Sequence, residues 1–153
     1  MNNQNGHPQT SGNPCVGIWR LVSFDYEDQA TGERGPRFGT MPKGRLMLLE
    51  NGLMMAILTA EGRAIPTTDE DRAMAFNTMV AYSGKYAAQG DQLSIDVDIS
   101  WNEALTGTVQ IRSYHFVDSR LQLVSAWAPS PFEPGRIVRG ILEWEREAFC
   151  PSL

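Results

Sequence analysis

Between residues 17 and 146 the chain is cut into short segments of strand character, and their number and spacing constrain the fold more than any other feature. Residues 17–26 alternate Trp19, Leu21 and Ser23 against Arg20, Val22 and Phe24, the two-residue period of a strand. Residues 44–49 and 53–58 are apolar runs around Glu50-Asn51-Gly52, and Asn-Gly between apolar runs is a strong hairpin signal. Segments of the same kind follow at 81–88, 92–100, 106–117, 121–128 and 136–146, with tight turns at Gln89-Gly90-Asp91 and Asp118-Ser119-Arg120. The stretch 27–42, rich in Gly, Pro and charge, reads as a long loop, and so does 129–135 with its prolines.

One segment breaks the pattern. Thr67 or Thr68 can cap a helix, Asp69, Glu70 and Asp71 suit its first turn, and Met74, Phe76, Met79 and Val80 follow at mixed helical spacing. A helix over 67–80 is predicted. Eight sequential strands and one short helix predict an all-β fold, an eight-stranded antiparallel up-and-down barrel. Such a barrel is just wide enough for its own side chains or for one small ligand. A β-sandwich of the same strands is the alternative.

The bulk properties narrow the partners. With 153 residues, 42% of them hydrophobic, the chain is long enough to bury a real core in one domain, placed at 15–150. Net charge is −5 with no Lys/Arg cluster, which argues against nucleic acid or an anionic membrane surface. No apolar run approaches the roughly 20 residues of a membrane span. Residues 1–14 are Asn-, Gly- and Pro-rich and lack the apolar stretch of a signal peptide, so they read as a disordered tail and the expected location is cytoplasmic. There is no Gly-rich phosphate loop, no metal-spaced His/Cys cluster, no Gly-x-Ser-x-Gly and no Cys-x-x-Cys, so no cofactor or metal is expected.

Several pieces together resemble the bacterial and fungal lipocalin-like domain family, relatives of the calycin barrels. They are Gly17-Ile18-Trp19-Arg20-Leu21-Val22-Ser23-Phe24, Pro42-Lys43-Gly44-Arg45-Leu46 with Asn51-Gly52, Ala81-Tyr82-Ser83-Gly84-Lys85-Tyr86, Arg112, and Leu142-Glu143-Trp144-Glu145-Arg146. The resemblance spans about residues 17–146. It implies a container for a small molecule, with Trp19 plugging one end under the Arg146 guanidinium. It also implies that Arg112 points inward and His115 outward. One departure stands out: Ile95 occupies a position where the family commonly has His, which puts any role of that imidazole in doubt.

If Trp19 opposes Arg146, Cys15 and Cys150 share the same index sum and lie near each other, as free thiols or as a disulfide. Arg112 inside a barrel is a costly charge unless an interior carboxylate pairs with it or a ligand carboxylate or enolate uses it. His115 is a general-base candidate if it faces inward, and Asp98 an acid-base candidate if it turns inward. His7 lies in the tail. Tyr82, Tyr86 and Tyr114 offer hydroxyls, Trp101 and Trp127 offer rings near the mouth, and Met55 stands for a group of methionines suited to an adaptable apolar pocket. The helix carrying Met74 and the loops near Trp101 and at 129–135 are expected to form that mouth. The leading expectation is binding of a small apolar or amphipathic organic molecule. The rival is a cofactor-free isomerase or cyclase acting on a metabolite or polyketide-like substrate, and a homodimer through a barrel face is a further possibility.

Overall fold

The computed structural model describes residues 12–131 and 133–148. Its strands are β1 (Gly17–Asp28), β2 (Arg34–Pro36), β3 (Lys43–Leu48), β4 (Leu53–Thr59), β5 (Met79–Gln89), β6 (Gln92–Ser100), β7 (Val109–Val117), β8 (Arg120–Ser125), β9 (Ala128–Pro129) and β10 (Ile137–Arg146). One helix, α1 (Asp69–Asn77), lies between β4 and β5. Eight strands form a closed antiparallel barrel in the order β1-β3-β4-β5-β6-β7-β8-β10, with β10 pairing back to β1. The short β2 and β9 extend the sheet beside β1 and β10 at the loop-rich end.

Alternation builds the core. Leu46 and Leu48, Met54, Ala56 and Leu58, Leu93, Ile95 and Val97, and Leu121 and Leu123 are all buried on the inner face. Closure leaves every long strand paired on both sides, which removes exposed edges. Two irregularities break the strict period. Between Leu21 and Ser23 the register of β1 against β10 slips by one. Trp19 and Leu21 therefore face inward, but Phe24 continues the inner row in place of Ser23, which corrects the simple alternation read over 17–26. A second slip lies between Ser83 and Gly84 on β5. There the backbones approach so closely that a Cβ on Gly84 would sit 1.9 Å from the Asp96 carbonyl oxygen.

The helix is shorter than predicted. Thr68 accepts from the Asp71 N–H while the Asp71 side chain returns to the Thr68 N–H, a complete capping box. Thr78 ends the helix, and Met79 and Val80 already pair with Thr59 and Leu58 in the sheet. Tertiary pairing overrides helical spacing at those two residues. Likewise β7 begins at Val109, because Leu105 and Thr108 close a turn.

The barrel is shut at the end opposite the loops. Trp19 is fully buried and pairs with Arg146, whose guanidinium carbon lies 4.3 Å from the indole centroid. Arg146 also donates to the carbonyls of Val16 and Pro14 at 2.9 and 2.8 Å, and the Trp19 indole N–H donates to the Cys15 carbonyl at 2.9 Å. Gly17 has φ +151°, and a Cβ there would lie 2.5 Å from Arg146 Nη1, so glycine leaves room for the clamp. Asn13 and Pro14 thus belong to the floor. Residues 1–11 of the expected tail, with His7, lie outside the described residues. Cys15 is a free, buried thiol that burial pushes up to about 11, with Arg146 acting against the shift. Its expected neighbour Cys150 also lies outside the described residues. Among the described residues no helix is long and apolar enough to cross a membrane.

Candidate functional site

The barrel encloses a cavity of about 280 Å³. Its wall is hydrocarbon from successive inner rows: Leu46 and Leu48 of β3, Met54, Ala56 and Leu58 of β4, Leu93 and Ile95 of β6, and Leu142 of β10. Ile95, where the resembled family commonly carries His, is part of this apolar wall. Polar side chains are few: Tyr82, Gln110, Arg112, Ser125 and Arg139 on the strands, with Tyr26 and Arg37 toward the loops. An apolar pocket with a few placed polar groups is the usual form of a small-molecule site.

Arg112 pairs with Leu93 and Ser125, and this register turns its side chain into the cavity. Its Nη2 donates to Gln110 Oε1 at 3.3 Å and its Nη1 to the Ile111 carbonyl at 2.9 Å. Both acceptors are neutral. Arg20, Arg45, Arg72, Arg120, Arg136 and Arg139 each pair with a carboxylate, but among the described residues none pairs with Arg112. Among the described residues the interior ion pair expected as one role of Arg112 is not formed. Two other arginines are on the lining: Arg139, paired with Glu27 at 2.7 Å, and Arg37, whose pKa burial lowers against the opposing effect of Glu133.

The rim is held by charge and by rings. Asp28 is buried where β1 ends and accepts from Arg136 Nε at 2.7 Å, from the N–H groups of Ala30 and Thr31, and from the Thr31 hydroxyl. The Arg136 hydrogen bond, followed by those from Thr31 and Ala30, outweighs desolvation and lowers its pKa to about 2. This ties the β1–β2 turn to the loop before β10. Trp101 lines the cavity, donates from Nε1 to the Phe76 carbonyl at 3.2 Å, and meets the Phe76 ring in a tilted contact at 6.0 Å. Trp101 thereby fastens α1 beside the mouth, although α1 buries none of its own residues.

Among the residues singled out from sequence, Arg112, Tyr82 and Trp101 meet at the cavity. The others do not line it. His115 is exposed opposite Gln122 on the outer face, because Gln110 and Arg112 take the inner parity of β7. Asp98 is exposed on β6. Met55 is half exposed, since its neighbours Met54 and Ala56 point inward. Tyr86 and Tyr114 pack on the core but donate their hydroxyls to the carbonyls of Leu49 and Gly90. Trp127 lies outside the lining, with the Arg139 guanidinium 4.5 Å over its ring and Arg139 paired to Glu27 at 2.7 Å. Met74 is exposed and does not line the cavity. Sequence reasoning missed Gln110, Ser125, Arg37 and Trp144 as lining residues. Gln110 was within reach, two residues before Arg112 on one strand face; Arg37 sits in a loop with no period to read.

The profile of one family, described as a lipocalin-like domain, matches residues 16–147. No curated protein matches the chain in sequence. Among solved structures, a mutant of the fluorescent protein UnaG aligns at 12% identity over 89% of this chain and 98% of that one, with a TM-score of 0.39. A likeness at that level carries no argument about function.

Proposed function

The chain belongs to the lipocalin-like domain family, and on that premise we propose that its barrel binds one small organic molecule with an apolar body and one acidic oxygen group, a carboxylate or an enolate, held by Arg112. The observation that carries this reading is an interior guanidinium with neutral partners only, set in a hydrocarbon-lined cavity of about 280 Å³. Arg112 is half-buried against a hydrocarbon wall with neutral partners only, so an acidic ligand gains a charge-assisted hydrogen bond that no carboxylate among the described residues takes up. Gln110 fixes the guanidinium from one side, while Trp101 and Tyr82 add ring surface for the ligand body. Of the residues expected to move protons, His115 and Asp98 stand on the outer face. The reading is therefore one of binding, and no isomerase or cyclase step is assigned.

The test is calorimetric titration of dodecanoic acid and of dodecanol into the native protein and into Arg112→Met. A charge-assisted hydrogen bond contributes about 1.5–3 kcal/mol, so the variant should bind the acid roughly 10- to 150-fold more weakly. Binding of the alcohol should change little. Equal affinity for acid and alcohol in the native protein, or an unchanged acid affinity in Arg112→Met, refutes the proposal.

A further inference from the structure

One hydrogen-bond donor at the cavity wall is buried without a partner among the described residues. Trp144 is 1% exposed and lines the cavity, and its Nε1 is buried with no hydrogen-bond partner among the described residues. The indoles of Trp19 and Trp101 both reach a carbonyl. A buried N–H that has lost water and found no acceptor is rare and destabilising. Its cross-strand neighbours, Leu21 on β1 and Leu121 on β8, offer only hydrocarbon.

Its position relative to Arg112 follows from the register. Arg112 pairs with Ser125, and Ser125 Oγ accepts from the Gly140 N–H on β10. Trp144 lies four residues further along β10, roughly 13 Å of strand toward the closed end at about 3.3 Å per residue. Trp144 therefore stands deeper in the barrel than Arg112.

We propose that Trp144 is a second ligand-binding residue, donating from Nε1 to a neutral carbonyl oxygen at the deep end of the ligand. The ligand class is then an oxo acid or ester acid: an acidic group at Arg112, an apolar spacer, and a ketone or ester carbonyl at Trp144. This rests on the reading of Arg112 given above. The deep oxygen is neutral because leucine side chains flank the indole, and a second anion would lose its hydration with no cation to meet it.

Two probes of matched length separate the ideas, dodecanoic acid and monomethyl sebacate, each titrated into the native protein and into Trp144→Phe. The native protein should prefer the ester acid by about five- to tenfold, the worth of one added hydrogen bond. Trp144→Phe should remove that preference. Comparing the two ligands within each protein cancels any general effect on packing. No preference in the native protein, or the same preference in both, overturns the inference. If dodecanoic acid binds with the expected dependence on Arg112 while the ester adds nothing, the first reading stands and this one fails. If neither acid binds, both fail. A second measurement needs no variant: in proton–nitrogen NMR, the Trp144 indole N–H, assigned by its through-space contacts, should move downfield with monomethyl sebacate and not with dodecanoic acid. A signal that responds alike to both acids, or to neither, assigns the N–H to resident water or to packing only and overturns the inference.

Discussion

Arg146→Met removes the clamp at the closed end while keeping a side chain of similar length over Trp19. Arg146 makes two hydrogen bonds, to the carbonyls of Val16 and Pro14, and one cation–π contact at 4.3 Å. The guanidinium is exposed to water, which discounts each hydrogen bond to about 0.5–1 kcal/mol. The ring contact adds about 0.5–1 kcal/mol at such a site. The sum is about 1.5–3 kcal/mol, which lowers the melting temperature of a domain this size by about 4–10 °C. Differential scanning calorimetry reads that shift directly. Gly17→Ala probes the same clamp from its other side, because the new Cβ would lie 2.5 Å from Arg146 Nη1. In the native background it should destabilise through both its φ of +151° and the displaced guanidinium. In the Arg146→Met background only the backbone part remains, so the two changes should be non-additive by about 1 kcal/mol or more. A melting shift below about 2 °C for Arg146→Met, together with additive energies in the double variant, refutes the view that this pair seals the barrel.

Two further predictions concern the backbone and the rim. Gly84→Ala should destabilise by more than about 3 kcal/mol in urea unfolding, because its Cβ would meet the Asp96 carbonyl at 1.9 Å and two paired strands would have to part. The native Asp28 carboxyl titrates near 2, below its ordinary value of 3.8, so the folded state holds the ionised form more strongly than the unfolded chain does. Its contribution to stability is present above pH 4 and is lost as the pH falls toward 2. Asp28→Asn should therefore flatten the loss of melting temperature across that window in a pH series of thermal scans, and an unaltered acid limb would count against the Arg136 tie.

Much of the site was hidden for reasons that particular residues make plain. Arg112 was legible through the family resemblance, which implied an inward guanidinium, whereas Tyr82 was one of three tyrosines that alternation could not tell apart. His115 and Asp98 turned on parity, which sequence alternation leaves undecided between the two faces of a strand. Tyr86 and Tyr114 face inward, yet distant carbonyls of Leu49 and Gly90 take their hydroxyls. Trp144 was visible only as part of a terminal motif. Its unpartnered N–H follows from what stands across from it on β1 and β8.

By itself the sequence determined the eight strand segments, the hairpin at Asn51-Gly52 and the capped helix, because these rest on period, turn chemistry and local caps, while the facing of Trp19 and Arg146 came from the family resemblance. Only the tertiary structure decided where the period slips, at Leu21/Ser23 and at Ser83/Gly84, and therefore which side chains line the cavity. A slip of one residue exchanges the two faces of a strand, and its position is set by closing the ring, a condition that no single segment contains.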